Sequence, residues 1–319
     1  MKFSVVIPAY DEEENIAPLA AAIRRVMDRL GYWELIFIDD GSRDGTFAAM
    51  ERERAADPRV KLIRFRRNFG QTAAWAAGFD YAAGDIIVCL DADLQNDPED
   101  IPRLVEKLNQ ENYDVISGWR QHRQDSLEKR VVSKIANSLR RMVTKEQIHD
   151  SGCSLKVYRR EALRDVELYG EMHRYITALL TWKGFRVGEL PVRHHPRRSG
   201  TTKYTLRRTI KGLLDLLIVK FWMQYSARPI HFFGTIGIAL VSLGLVLGGT
   251  LTALWLFRII ALQNRTTPLL AVLFVLLGMQ FIMTGVLADI TAKNYYAAKR
   301  SYTIQAVYGF EQTPGTLIP

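Results

Sequence analysis

The first two thirds of the chain alternate between short apolar runs and longer segments in which apolar residues recur every three or four positions. The short runs predict β-strands, and the longer segments predict helices that bury one face. Strands are expected over 3–7, 34–38, 60–65 and 85–90, and helices over 13–30, 46–56 and 72–82. The fourth run is apolar throughout, which is typical of a strand buried on both faces. The alternation predicts an α/β fold with a mostly parallel sheet between helices.

Two long stretches in the last third contain no charged residue. Residues 232–257 form an uncharged run of 26, and residues 266–288 form another of 23. Each run can cross the ~30 Å hydrocarbon layer of a bilayer as a helix. Two such runs, joined only by 258–265, favour a transmembrane hairpin over a buried core helix. The start of the chain has no signal-peptide pattern, so we expect the N-terminal region and the C-terminus in the cytosol.

The segment just before the first uncharged run is amphipathic. Over 203–225, apolar residues recur at three and four positions, with Arg and Lys between them. This pattern predicts a helix at the membrane interface, and a helix packed on the soluble domain is the alternative. Four parts are therefore expected, namely an α/β domain, a juxtamembrane helix, a two-helix transmembrane hairpin and a cytoplasmic tail, over 1–202, 203–228, 229–290 and 291–319.

Composition limits the class of protein and its partners. Of the 319 residues, 48% are apolar and 24% are charged, which excludes a disordered chain. The two cysteines, Cys89 and Cys153, cannot form a disulfide framework and are expected as reduced thiols. The formal net charge of +9 indicates an anionic partner, which can be nucleic acid, a phosphorylated substrate or anionic lipid.

Acidic clusters follow three of the four predicted strands. They are Pro8-Ala-Tyr-Asp-Glu12, Asp39-Asp-Gly-Ser42 and Asp91-Ala-Asp-Leu-Gln95. Ligands of such sheets bind beyond the carboxyl ends of the strands, so the clusters should meet at one edge. Clustered carboxylates repel each other unless a cation is bound, and oxygen ligands without His or Cys suit Mg²⁺ or Mn²⁺. An Asp-x-Asp pair by itself is also common at turns and helix caps.

Together with Arg67-Asn-Phe-Gly70, these clusters resemble family-2 glycosyltransferases of the Rossmann-like GT-A fold, over residues 1 to about 205. The C-terminal hairpin makes the chain similar to the polyprenyl-phosphate glycosyltransferases, which include dolichol-phosphate mannose synthases and bacterial undecaprenyl-phosphate sugar transferases. The resemblance implies inverting transfer of one sugar from a nucleotide-sugar to polyprenyl phosphate at the cytoplasmic face of the bacterial inner membrane. A UDP-sugar is favoured as the donor, with GDP-mannose as the alternative.

The resemblance also assigns the residues of the donor site. Residues implied to bind the nucleotide-sugar are Pro8, Ala9, Tyr10, Glu12, Asp39, Asp40, Gly70, Gln71 and Asp91. Asp93 and Gln95, beside Asp91, would hold the metal that bridges the donor diphosphate, and Asp93 is a candidate catalytic residue. The amides of Gly70 and Gln71 precede a predicted helix and could also face that diphosphate.

A second set is assigned to the phosphate of the lipid acceptor, namely Arg120, Arg130, Ser133, Lys134 and Arg198. Guanidinium groups suit this task because they bind phosphate in two-pronged fashion. Some relatives carry an Asp at the position of Cys153, whereas this chain has Asp150 three residues earlier. Asp150 is therefore a candidate catalytic residue that orients the acceptor or supports the metal, and a turn residue beside Gly152 is the alternative.

The hairpin also suggests self-association. The resemblance implies a tetramer, so a homo-oligomer is expected. Small residues let helices approach closely, and the first uncharged run contains Gly234, Gly237, Gly244, Gly248 and Gly249.

Two other functions stay open at this point. A processive polysaccharide synthase shares the acidic motifs, but its Gln-x-x-Arg-Trp acceptor motif is absent from the sequence. The second open function is that of a catalytically silent membrane adaptor or a nucleic-acid binder. Intact Asp91, Asp93 and Gln95 argue against silence, and the lack of a basic stretch interleaved with aromatic residues argues against nucleic acid. The basic run over 193–211 contains seven Lys or Arg and no acid, and it would face anionic headgroups or simply solvent.

Overall fold

The computed structural model describes residues 1–121, 148–164, 172–196, 228–260 and 266–297, with single residues at 166, 168, 170, 221, 224 and 225. They belong to two units, Met1–Lys220 and Phe221–Pro319, each of which is described by itself. Most of the predicted juxtamembrane helix and tail lies outside the described residues. Four residues assigned to the acceptor phosphate also lie outside the described residues, namely Arg130, Ser133, Lys134 and Arg198.

Seven strands form one sheet in the first unit, in the order β3-β2-β1-β4-β6-β5-β7. Their bounds are β1 Lys2–Ala9, β2 Tyr32–Asp39, β3 Val60–Arg64, β4 Ile86–Cys89, β5 Val115–Trp119, β6 Lys156–Arg159 and β7 Val187–Pro191. β6 is antiparallel to both β4 and β5, and the other pairings are parallel. The predicted α/β fold with a mostly parallel sheet is confirmed. Six strands therefore end at the same edge.

Helices cover both faces of this sheet. Those of the first unit are α1 Glu13–Met27, α2 Thr46–Ala56, α3 Gln71–Tyr81, α4 Ile101–Gln110, α5 Arg160–Leu163 and α6 Ile176–Trp182. Successive strand residues point to opposite faces, so Val5 joins the hydrophobic core under α1 and α4, while Val6 joins the core under α3. The α3 backbone comes close to the sheet at Gly78, where an added Cβ would lie 3.0 Å from Ile38 Cδ1.

Two long apolar helices dominate the described part of the second unit. They are α7 Ile230–Leu256 and α8 Thr267–Ala297, and both are long and apolar enough to cross a membrane. The helices pack closely where glycines face each other, since a Cβ added to Gly237 would lie 2.7 Å from the carbonyl oxygen of Gly278. A Cβ on Gly244 would be equally close to the carbonyl oxygen of Ala271. These two glycines of the first helix therefore serve contacts within the hairpin.

Candidate active site

The loops that follow β1 and β2 are tied to each other at the carboxyl edge of the sheet. The Asp11 amide donates to Ser42 Oγ at 3.1 Å, and the Arg43 amide donates to Asp11 Oδ1 at 2.8 Å. The Glu12 amide donates to Thr46 Oγ1 at 2.8 Å. The first two acidic clusters thus form one continuous surface.

The four donor-site residues predicted in the first cluster differ in accessibility. Pro8 and Ala9 are the last residues of β1 and are buried, whereas Tyr10 and Glu12 are half-buried in the loop. Glu12 Oε2 accepts the side-chain amide of Asn15 at 2.5 Å, which ties the carboxylate to the first turn of α1. Tyr10 and Glu12 are therefore the two whose side chains a ligand can reach.

Asp39 ends β2, and its carboxylate is fully buried. Oδ1 accepts the Ser42 amide at 2.9 Å, and Oδ2 lies 3.4 Å from Arg64 Nε without a hydrogen bond from any described residue. Ser42 and Arg64 also line a cavity of about 400 Å³, together with Gly41, Phe65 and Arg66. Each buried polar atom needs a hydrogen-bond partner, and Asp39 Oδ2 could accept one from the base or ribose of a nucleoside. The aromatic and cationic side chains that line the cavity also suit a nucleoside.

Asp40 holds the turn that begins α3. Its carboxylate accepts the Phe69 amide at 2.7 Å and the Gly70 amide at 2.9 Å. Burial raises the pKa of Asp40, although these two hydrogen bonds act in the opposite direction. Gly70 has φ 94° and ψ 159°, a backbone conformation that is essentially restricted to glycine. Because its amide is already bound to Asp40, Gly70 contributes to the site as the turn that orients Gln71.

Asp91 is the most strongly perturbed acid at the edge. Burial and the neighbouring charge of Asp93 raise the pKa of Asp91 to about 6, whereas a hydrogen bond from Ser154 lowers it. Gln71 Nε2 donates to Asp91 Oδ1 at 2.6 Å. Asn96 Nδ2 donates to Ser154 Oγ at 2.7 Å, so the serine oxygen accepts from Asn96. The serine hydroxyl can then donate its own proton to Asp91. Both contacts to Asp91 are therefore hydrogen bonds in which the carboxylate accepts.

The loop after β4 presents Asp93 and Gln95 on a tight turn. Asp93 Oδ1 accepts the Gln95 amide at 3.1 Å, and Leu94 between them has φ 59°. A left-handed backbone is uncommon for a residue other than glycine. The carbonyl oxygen of Gln95 accepts the amide of His195 at 2.8 Å, which joins this loop to the segment that follows β7.

The oxygen donors of this loop fit a hard divalent cation whose coordination a substrate completes. Among the residues that the structure describes, no group of three His, Cys, Asp or Glu side chains is placed to hold a metal. Asp91 and Asp93 interact electrostatically, and the repulsion between them favours a bound cation. Proteins usually bind Mg²⁺ through one or two carboxylates, and substrate phosphates supply further ligands. The observed donor set matches that arrangement.

Arg120 was predicted to bind the acceptor phosphate, and Asp150 to orient the acceptor or support the metal. The two side chains form a largely buried ion pair with each other. Arg120 Nε lies 2.7 Å from Asp150 Oδ2, and Nη2 lies 2.9 Å from Oδ1. The Arg120 amide also donates to Asp150 Oδ2 at 3.2 Å. Burial lowers the pKa of Arg120, but Asp150 more than offsets this, so the pKa is raised and the charge is fixed. No described residue accepts a hydrogen bond from Nη1 of Arg120.

Lys156 is a functional candidate that the sequence patterns missed. It begins β6, is buried, and its ammonium donates to the carbonyl oxygens of Ser151, at 3.0 Å, and of Cys153. Burial lowers the pKa of Lys156, and its positive charge lowers that of Asp91. The signal in the sequence was a lysine at the start of a short apolar strand, directly after the Asp150 segment. Cys153 itself is buried, and burial raises the pKa of its thiol to about 11.

Comparison with known proteins identifies the family. Residues 4–167 match the model of glycosyl transferase family 2, and the chain belongs to that family. It is 40% identical, over 97% of its length and 93% of the other chain, to a dodecaprenyl-phosphate galacturonate synthase of Rhizobium johnstonii. It is 36% identical, over 99% of its length and 96% of the other chain, to an undecaprenyl-phosphate 4-deoxy-4-formamido-L-arabinose transferase of Salmonella typhimurium. The resemblance to polyprenyl-phosphate glycosyltransferases is confirmed, and the protein is a glycosyltransferase.

Solved structures share the fold of the first unit. Glucosyl-3-phosphoglycerate synthase from Mycobacterium tuberculosis aligns with a TM-score of 0.54 and 19% identity, over 70% of this chain and 79% of that one. The same enzyme in complex with Mn²⁺, UDP-glucose and glycerol 3-phosphate aligns with a TM-score of 0.53 over 71% of this chain and 82% of that one. At this level of identity the comparison establishes the GT-A fold.

Proposed function

We propose that the protein transfers one sugar, with inversion, from a nucleotide-sugar to a polyprenyl phosphate. The observation that supports this most directly is the similarity to two polyprenyl-phosphate sugar transferases over nearly the whole chain, the two apolar helices included. The geometry agrees with this reaction, because an acidic edge and a buried guanidinium lie at the end of one sheet. The acidic edge suits a metal-bound diphosphate, and the guanidinium suits the phosphate of the acceptor.

On the donor side, the cavity beside Asp39 would take the nucleoside. Asp91, Asp93 and Gln95 would hold Mg²⁺ or Mn²⁺, which supplies charge stabilisation to the departing nucleotide diphosphate. Mn²⁺ with UDP-glucose occupies the structurally similar mycobacterial synthase. We favour a UDP-sugar as the donor, and the two named relatives make galacturonate and 4-deoxy-4-formamido-L-arabinose the first sugars to test.

On the acceptor side, Arg120 would bind the phosphate through Nη1, the part of its guanidinium that Asp150 leaves accessible to a ligand. A phosphate monoester has its second pKa near 6 and is already largely dianionic at pH 7. The acceptor oxygen can therefore attack the anomeric carbon without a dedicated base. We infer that Asp150 acts by orienting Arg120, because both of its oxygens bind that side chain.

We also propose that the protein is an integral membrane homo-oligomer, a tetramer as the family resemblance implies, with its catalytic unit in the cytoplasm of the bacterium. Each threonine side chain with a described hydrogen bond in α7 and α8 donates to the carbonyl four residues earlier. Gln280 differs, since it is exposed near the middle of α8 and its amide has no hydrogen-bond partner among the described residues. An unpaired amide in hydrocarbon favours a partner helix, and a second Gln280 would satisfy both amides.

The reaction is tested by nucleotide diphosphate release from purified protein with undecaprenyl phosphate and a panel of nucleotide-sugars. We expect one sugar per lipid, loss of transfer with EDTA, and its return with Mg²⁺ or Mn²⁺. Asp93→Ala should abolish transfer without unfolding the protein, because the residue lies in a loop at the edge of the sheet. Full activity in the presence of chelator would contradict the metal site, and release that is independent of lipid would contradict the acceptor.

Arg120→Ala should weaken use of the lipid while donor binding stays nearly unchanged. Losing one hydrogen bond to a charged group costs about 1.5–3 kcal/mol, which corresponds to a rise of roughly ten- to hundredfold in the KM for polyprenyl phosphate. Asp150→Asn should raise the same KM, whereas a catalytic base would lower kcat instead. Arg159→Ala is the control, since Arg159 pairs with Ile86 at the start of β4, at the opposite edge. If calorimetry shows that the donor affinity of Arg120→Ala collapses instead, Arg120 belongs to the donor site.

Gln280→Leu should shift the oligomer toward smaller species in mild detergent, as measured by light scattering. Interhelical hydrogen bonds in membranes contribute about 0.6–2 kcal/mol each, and a symmetric oligomer would repeat that loss at each contact. Thr284→Val is the matched control one turn away, because its hydroxyl is already bound to the Gln280 carbonyl. A monomeric wild type, or an unchanged Gln280→Leu, would count against this proposal.

A further inference from the structure

The loop that carries Asp93 and Gln95 has a backbone that does not hold its shape by itself. Leu94 lies in the left-handed region at φ 59°. Such a conformation in a residue other than glycine persists only where the surroundings impose it. The hydrogen bond from the Gln95 amide to Asp93 is local and moves with the loop. The contacts that fix the loop must therefore come from elsewhere in the fold.

A strap formed by Arg193, His194 and His195, just after β7, supplies part of these contacts, beside the packing of Leu94 on the core and the hydrogen bond of the Asn96 side chain to Ser154. The His195 amide donates to the Gln95 carbonyl oxygen at 2.8 Å. Asn96 and His194 form an isolated antiparallel bridge at the next position. The strap therefore adds a short strand-like pairing to the two residues that directly follow Leu94.

Arg193 anchors this strap through two acids that follow the loop. Its amide donates to Asp100 Oδ2 at 2.7 Å, and its Nη1 lies 3.2 Å from Asp97 Oδ2. Asp97 caps the 3₁₀ helix Pro98–Asp100 by accepting the Glu99 amide at 2.9 Å, so it is itself fixed. His195 Nε2 lies 3.3 Å from Asp97 Oδ2 and adds a second side-chain contact. The basic residue thus clamps the strap to the far end of the acidic loop.

We propose that Arg193 is a positioning residue that holds Asp93 and Gln95 in the geometry that binds the cation. This inference rests on the proposed function, because it assigns the support of the same metal site. Arg193 touches neither Asp93 nor Gln95 in any described contact, so it acts through Asp97, Asp100 and the strap. Side chains that support metal ligands typically change metal affinity by about 10- to 100-fold when removed.

The test uses full-length protein in detergent and titrates Mn²⁺ in the presence of UDP, by calorimetry or by electron paramagnetic resonance. Arg193→Ala should weaken Mn²⁺ binding roughly tenfold, and Arg193→Lys should restore part of the loss. In the transfer assay, the metal concentration at half-maximal rate should rise by the same factor, with the rate recovered at saturating metal. Amide hydrogen exchange of the peptide over 91–97 should be about tenfold faster in metal-free Arg193→Ala.

Arg103→Ala is the matched control. Arg103 contacts the same acid, Asp100 Oδ1, at 3.0 Å, and its side chain is as exposed as that of Arg193, at 55%. It lies in α4 and has no described contact with the strap, so its variant should keep the wild-type Mn²⁺ affinity. Unchanged Mn²⁺ affinity in Arg193→Ala, or an equal loss in Arg103→Ala, would overturn the inference. A wild type that binds no Mn²⁺ with UDP would instead contradict the proposed function, and the inference with it.

Discussion

The carboxylates of Asp91 and Asp93 repel each other at the carboxyl edge of the sheet, and the rest of the site is arranged around that repulsion. Burial, the larger cause, and this repulsion together raise the pKa of Asp91 to about 6. The fold opposes the repulsion with hydrogen-bond donors from separate elements. Gln71 at the start of α3 and Ser154 just before the antiparallel strand β6 both bind Asp91. The acids are therefore held in place, and a bound cation would relieve their repulsion.

Positive charge lies around the same acids and offsets most of their negative charge. Arg120 and Lys156 are both buried or nearly so, and their charges act on Asp91. The cluster contains three acids, Asp91, Asp93 and Asp150, against the two bases Arg120 and Lys156. Its formal charge is therefore one negative. A divalent cation would reverse that sign and attract a diphosphate and a phosphate to the same edge. Metal binding and substrate binding are thus expected to depend on each other.

The sequence predicted the parts of this site that follow from local pattern. Strand periodicity located β1 to β4, and the common direction of parallel strands placed the acidic clusters at one edge. The partners of the acids could not be predicted, because Gln71 and Asp91 are twenty residues apart, and Arg120 and Asp150 thirty. Their pairing depends on strand order. β6 is only four residues long, and so short a strand does not indicate its direction in the sheet. Its antiparallel insertion, which brings Lys156 to the acids, could therefore not be predicted either.

We propose that the protein supplies only part of a metal site and that the nucleotide diphosphate would supply the remainder. Mn²⁺ titration of the purified full-length protein, with and without UDP, tests it most directly. The two-carboxylate geometry predicts weak binding to the protein alone and binding at least about tenfold tighter once UDP is present. Equally tight Mn²⁺ binding without the nucleotide, or no binding with it, would contradict a metal site shared between the protein and the diphosphate.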